Sequence, residues 1–191
     1  MNIKKAIKTA IIGLSLGFVG MGGAQAQDDI QDYINAYGAQ AAEMPELSYQ
    51  PEMLDCGIVE KMAARGALWL MMNNAYVSEE YLIAEAEITV DANDDVINSI
   101  VNHFDDPFAK GAQELSATYK FFFMAGADAE AMDYQRAPRD YDKMGIKEKR
   151  GRAKLIGIQV KTNCERAKKE EWGQKYLKLT VAAYKVLKGE F

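Results

Sequence analysis

From residue 27 onward, apolar positions recur at intervals of three and four, the spacing that places side chains on one face of a helix. Ile30, Tyr33, Ile34 and Tyr37 define a short amphipathic helix from Gln27 to about Glu43, and its acidic start (Asp28, Asp29, Asp32) suits the positive end of the helix dipole. Pro45 to Pro51 reads as a linker. Pro51 then fits the first turn of a second helix, on which Leu54, Ile58, Met62, Trp69 and Met72 share a face and which Asn73 and Asn74 terminate. Ser78 ahead of Glu79 and Glu80 is a helix start that leads into Tyr81, Leu82 and Ile83. Ile88-Thr89-Val90 is locally strand-like, but a lone run has nothing to pair with, so it is assigned to the end of that helix.

The polar turn Asp91 to Asp95 caps a further helix carrying Val96, Ile97, Ile100, Val101 and Phe104. Asp106-Pro107 has the order of a cap followed by a first helical residue. The helix after it is expected to align Phe108, Leu115, Tyr119 and Phe122 and to end at Gly126. Residues 128–145, with Arg136-Ala137-Pro138-Arg139-Asp140, read as an exposed connection containing at most one helical turn. Beyond Gly145, Ala153, Ile156, Val160, Cys164 and Ala167 are followed in the same rhythm by Trp172, Tyr176, Leu179, Ala183 and Val186: one long helix, or two meeting near Gly173. No repeat and no Gly- or Pro-rich linker divides this stretch. The expected fold is all-α, a single-domain helical bundle or orthogonal array of about five or six helices over residues 27–191.

Residues 1–26 have a different pattern. Lys4, Lys5 and Lys8 precede an apolar run from Ala10 to Val19, Gly20, Gly22 and Gly23 break it, and Ala24-Gln25-Ala26 supplies small residues for a signal peptidase. Cleavage between Ala26 and Gln27 is expected, and the run is too short and glycine-diluted for a membrane anchor. The expected address is the periplasm or the exterior. Gly13-Leu14-Ser15-Leu16-Gly17 matches a nucleophile-elbow spacing, but inside an export signal it lacks the strand-to-helix turn that gives the motif meaning.

Export decides how the two cysteines are read. Cys56 and Cys164 are an even pair in an oxidising compartment, without a C-x-x-C spacing, so a structural disulfide is expected in preference to a redox centre. One histidine and two cysteines exclude most zinc sites, histidine-paired di-iron centres and covalent c-type haem, and no cofactor is expected. Hydrophobic residues at 49% and charged residues at 27% are ordinary for a globular chain.

Charge is distributed unevenly. Residues 27–145 hold 23 acidic against 7 basic side chains, whereas residues 146–191 hold 13 basic against 5 acidic. The basic residues are densest at Lys147, Lys149, Arg150, Arg152 and Lys154. This segment is either a partner-binding patch or a basic helix packed on an acidic body, and the second reading needs less. Nucleic acid is excluded as a partner by the acidic balance and by export.

Chemical motifs are fragmentary. Asp91-x-Asn93-x-Asp95 begins like a calcium loop, but Val96 stands where glycine is needed and Asn102 where a bidentate glutamate is needed, so capping explains it better. His103 beside Asp105 and Asp106 has no matching nucleophile, and Met53, Met62, Met71 and Met72 are accounted for by core packing. Glu79, Glu80, Glu85 and Glu87 could pair as acid and base on a polymeric substrate. Tyr119, Phe121, Phe122 and Phe123 either line a pocket or fill a core. The resulting expectation is an exported, non-catalytic binding protein for a protein partner or small apolar ligand. Its alternative is a periplasmic enzyme acting on cell-wall or other polymer through paired carboxylates.

Overall fold

A computed structural model describes residues 37–73, 77–169 and 173–190. The export signal, the Ala26–Gln27 cleavage point and most of the first expected helix lie outside the described residues, as do Asn74 and Trp172. Among the described residues the chain is helical throughout, with no strand. The helical residues 37–43 (α1) are followed by a 3-10 turn at Pro51–Met53. Then come α2 (Cys56–Met72), α3 (Glu79–Asp91), α4 (Asp94–Val101), α5 (Lys110–Arg136), α6 (Ile146–Lys169) and α7 (Gly173–Lys188). This is the expected helical array, with one more segment than the periodicity suggested.

Side-chain caps set several of the helix starts. Asp55 accepts from the backbone N–H groups of Gly57 and Ile58, Ser78 from Tyr81, and Asn93 from Val96, each satisfying a donor that the first helical turn leaves unpaired. The expectation that α2 begins at Pro51 is corrected by the first of these. Pro51 makes only a 3-10 turn, the chain extends at Leu54, and Asp55 restarts it as α-helix at Cys56. At Asp106-Pro107 the aspartate instead caps a turn, accepting from Phe108 N–H, and α5 starts three residues later at Lys110.

The core is built around α2, which packs against both α5 and α6. Its buried residues Val59, Met62, Ala63, Gly66, Ala67 and Met71 go well beyond a single stripe, while Met72, expected in the core, is exposed. Gly126 was expected to end α5 but lies in its middle. A Cβ there would stand 2.0 Å from Ala63 O, so this glycine permits a backbone-close crossing and does not mark a helix end. The helix therefore runs on to Arg136. The exposed connection shrinks to residues 137–145, and even within it Tyr141 is buried.

Helix α6 lies antiparallel to α2 and is fastened to it at both ends. Cys164 is bonded to Cys56 at the start of α2, and Lys168 Nζ donates to Leu54 O at 2.7 Å. At the opposite end Lys149 Nζ donates to Met71 O at 3.3 Å, placing a cation on the negative end of the α2 dipole. Between them Gly157 rests against the backbone at Glu60.

Candidate functional site

An apolar-lined cleft and a polar one lie on the described surface. The smaller, about 630 Å³, is bounded by α4, the turn at Pro107-Phe108, the first half of α5 and the end of α7. Helix α4 is strongly amphipathic yet only eight residues long. Val96 fills the core while Ile97 and Val101 remain 42% and 51% exposed. The α4 helix was expected to reach Phe104; it ends at Val101, so Phe104 packs on the core from the loop and Phe108 is left 80% exposed at the cleft edge. Ile97, Ile100, Val101 and Phe108 thus line one side of an apolar groove.

The rim of that groove sets lysines beside carboxylates. Lys120 Nζ lies 2.8 Å from the Asp91 carboxylate, Lys188 2.9 Å from Glu87 and 3.0 Å from Glu190, and Lys110 3.4 Å from Glu114. The hydrogen bond from Lys188 holds the Glu87 carboxyl below its ordinary value, and the same bond raises the Lys188 ammonium. Lys185 also lines the groove, and its ammonium makes no ion pair among the described residues. Glu114 is almost wholly buried. Its Oε2 accepts from Ser48 N–H at 2.6 Å, tying the expected linker down against α5.

The larger cleft, about 1140 Å³, lies over the start of α2 and is polar. Asp55 is occupied as a helix cap, Asp95 is paired with Lys61 at 2.7 Å, and Lys168 is held by the carbonyls of Glu52 and Leu54. The pairing with Lys61 lowers the Asp95 carboxyl. His103 is on this cleft's edge, exposed, two residues past the end of α4.

The basic segment of α6 divides into two sets. Lys149 and Arg152 turn inward: Arg152 Nε donates to Glu130 Oε1 and Oε2 at 2.8 and 2.7 Å, and its Nη2 pairs with Asp133. Glu130 is fully buried and also accepts from Tyr141 O–H at 2.6 Å. Burial, then the Glu130 carboxylate, push the Tyr141 phenol far above its usual value. Lys147, Arg150 and Lys154 remain on the surface, without an ion pair among the described residues.

Other sequence motifs resolve into structure. Tyr119, Phe121, Phe122 and Phe123 are all buried, so the aromatic run is core. Asp91 and Asp95 face lysines and Asn93 caps α4, and no group of three metal-ligating side chains occurs among the described residues. Within the acidic cluster of α3, Glu85 accepts from Thr89 and Glu87 from Tyr184. Glu79 acts on a carboxyl that the sequence did not single out. Burial first, and the Glu79 charge second, push Asp128 up to about 8, and its Oδ2 is buried without a hydrogen bond among the described residues. Neither Asp128 nor Glu79 lines either cleft. No protein-family model, curated protein or solved structure matches this chain.

Proposed function

We propose that this chain is an exported, non-catalytic binding protein that holds a small amphiphile, apolar along its body and anionic at one end, in the groove between α4 and α7. The observation that carries this reading is the exposed apolar side of α4 continued by Phe108 and bordered by lysines. Leaving three large apolar groups in water across one groove forgoes about 25 cal/mol for each square ångström that a ligand would cover. The groove's volume falls within the roughly 300–1,000 Å³ range of small-molecule sites, and Lys185 supplies a cation with no ion pair among the described residues.

Export and periplasmic residence belong to the same proposal. They rest on the sequence of residues 1–26, on the Cys56–Cys164 bridge, and on the finding that no helix among the described residues is long and apolar enough to cross a membrane. Paired-carboxylate catalysis has less support: Asp128, whose carboxyl is raised toward neutrality, lies away from both clefts.

Titration with a fluorescent long-chain carboxylate tests the groove. Saturable binding is expected, weakened at least about tenfold by Phe108→Ser with Val101→Asp and several-fold by Lys185→Gln. All three positions are solvent-exposed or half-exposed, so folding should be preserved. Unsaturable binding, or equal binding by the variants, removes the groove as the ligand site.

A further inference from the structure

The outer face of α6 belongs to neither cleft's apolar lining, and it combines a dense basic charge with exposed aliphatic side chains. Over its 24 residues α6 carries nine basic side chains against two acidic ones, on a protein that is acidic overall. Its buried stripe runs through Lys149, Ala153, Ile156, Val160 and Cys164. Away from that stripe, Lys147, Arg150, Lys154 and Ile158 recur at intervals of three and four, with Leu155 next to Lys154 in sequence and one turn before Ile158. Leu155 is 64% and Ile158 41% exposed.

The three cations of this face make no ion pair among the described residues, although α6 pairs others of its basic side chains. On the same helix Lys149, Arg152 and Lys161 each find a carbonyl or carboxylate, whereas Lys147, Arg150 and Lys154 make no ion pair among the described residues. An acidic body offers carboxylates in plenty, yet these three heads stay in solvent around two bare aliphatic side chains. The helix beneath them is rigidly seated, bridged to α2 by Cys164 at one end and held by Lys149 at the other.

We infer that this face docks the protein onto an anionic phospholipid surface. A convex stripe on a single helix, with aliphatic groups between long basic side chains, matches the interface of a bilayer. Leu155 and Ile158 reach the boundary of the acyl chains, while the lysine and arginine stems extend sideways to bring their charges to the phosphates. An acidic protein partner accounts for the cations, but it would need an apolar recess shaped to Leu155 and Ile158, whereas a bilayer provides an apolar boundary everywhere. Attachment is peripheral, since no helix among the described residues is long and apolar enough to span a membrane.

Each basic residue at an anionic surface strengthens binding about fivefold, so the three together contribute roughly a hundredfold. Flotation of the protein, as its host processes it, with vesicles of equimolar phosphatidylcholine and phosphatidylglycerol is the test, with phosphatidylcholine alone as reference. Binding is expected on the mixed vesicles, not on the reference, and is expected to disappear at high salt. The combined Lys147→Gln, Arg150→Gln and Lys154→Gln variant should bind roughly a hundredfold more weakly. Leu155→Ser with Ile158→Ser should bind several-fold more weakly while keeping its dependence on phosphatidylglycerol. Phe108→Ser, in the separate groove, should leave vesicle binding unchanged. Equal flotation with both vesicle types, no flotation of the unaltered protein, or full binding by the triple variant overturns the inference. Capture of soluble poly-glutamate without vesicle binding overturns it in favour of an acidic polypeptide.

Discussion

Gly66 on α2 and Gly126 on α5 form one reciprocal contact: a Cβ on Gly66 would lie 1.9 Å from Phe123 O, and one on Gly126 would lie 2.0 Å from Ala63 O. Each glycine admits the other helix's backbone, and neither neighbour is a flexible side chain that could move aside. Replacing either by alanine should therefore exceed ordinary overpacking and cost about 3 kcal/mol or more. Thermal unfolding should fall by roughly 6–12 °C. Gly151→Ala is the control: its added Cβ meets nothing within 4 Å, and better helix propensity should raise stability by about 0.5–1 kcal/mol. A small effect at Gly66 or Gly126 would mean the crossing is looser than this contact requires.

The disulfide closes a sequence separation of 108 residues and joins the two helices that carry much of the core. In the chain-entropy account a loop of that length contributes about 4–5 kcal/mol by restricting the unfolded ensemble. The Cys56→Ser, Cys164→Ser double variant should lose most of that amount in urea denaturation, and the reduced unaltered protein should behave similarly. If instead the midpoints coincided, the bridge would be dispensable to the fold.

The residues that misled the sequence reading did so for specific reasons. Glycine is a common helix terminator, so Gly126 was assigned an end. Its actual role depends on Ala63, which is distant in sequence, and local pattern carries no record of that contact. Phe108 was placed on the α5 face because Asp-Pro usually opens a helix, yet Asp106 spends its carboxylate on the Phe108 N–H and delays the start. That delay exposes the groove, so the site was illegible where the cap was misread. The inward turn of Lys149, by contrast, was available. Stepping back four residues from Ala153 along the Ala153, Ile156, Val160 stripe lands on Lys149, and the periodicity alone separates it from Lys147 and Arg150. Caps at Ser78 and Asn93 and the Cys56–Cys164 pair were readable because each depends on local spacing or on an even count.

Glu130 and Arg152 should respond unequally to substitution. Glu130 is fully buried, whereas the Arg152 side chain is partly exposed and keeps Asp133 as a second partner. Arg152→Met leaves a buried carboxylate with Tyr141 as its remaining donor and should cost about 3–5 kcal/mol. Glu130→Gln leaves an arginine that can still reach Asp133 and water, so its cost should be clearly smaller. Arg152→Lys should not restore the wild-type value, since a single ammonium cannot reproduce the planar fork by which Nε serves Glu130 and Nη2 serves Asp133. Denaturant midpoints at neutral pH measure all three, and equal losses for the two charge removals would contradict the asymmetry.

Asp128 should impose a pH dependence opposite to that of an ion-paired carboxylate. Its native carboxyl is pushed up to about 8 by burial and by the charge of Glu79 on α3, while the unfolded chain titrates it near the ordinary aspartate value of 3.8. Tyr37 of α1 also couples to Asp128, with its phenol raised by burial, then Glu79, then Asp128, and supplies no positive charge. Below the unfolded value both states hold the proton, and Asp128 has no effect on stability. Between that value and about 8 the unfolded state releases the proton while the native state retains it, so stability falls as pH rises, by up to about 1.4 kcal/mol per pH unit. Above about 8 both states are ionised and the penalty stops growing. Asp128→Asn removes the titrating proton but keeps the shape. Its unfolding free energy should match the native protein in acid, lose this downward slope, and exceed the native value near pH 8, where urea melts compare the two directly. Parallel profiles for the two proteins across that range would show that Asp128 ionises in the folded state as it does in the unfolded one.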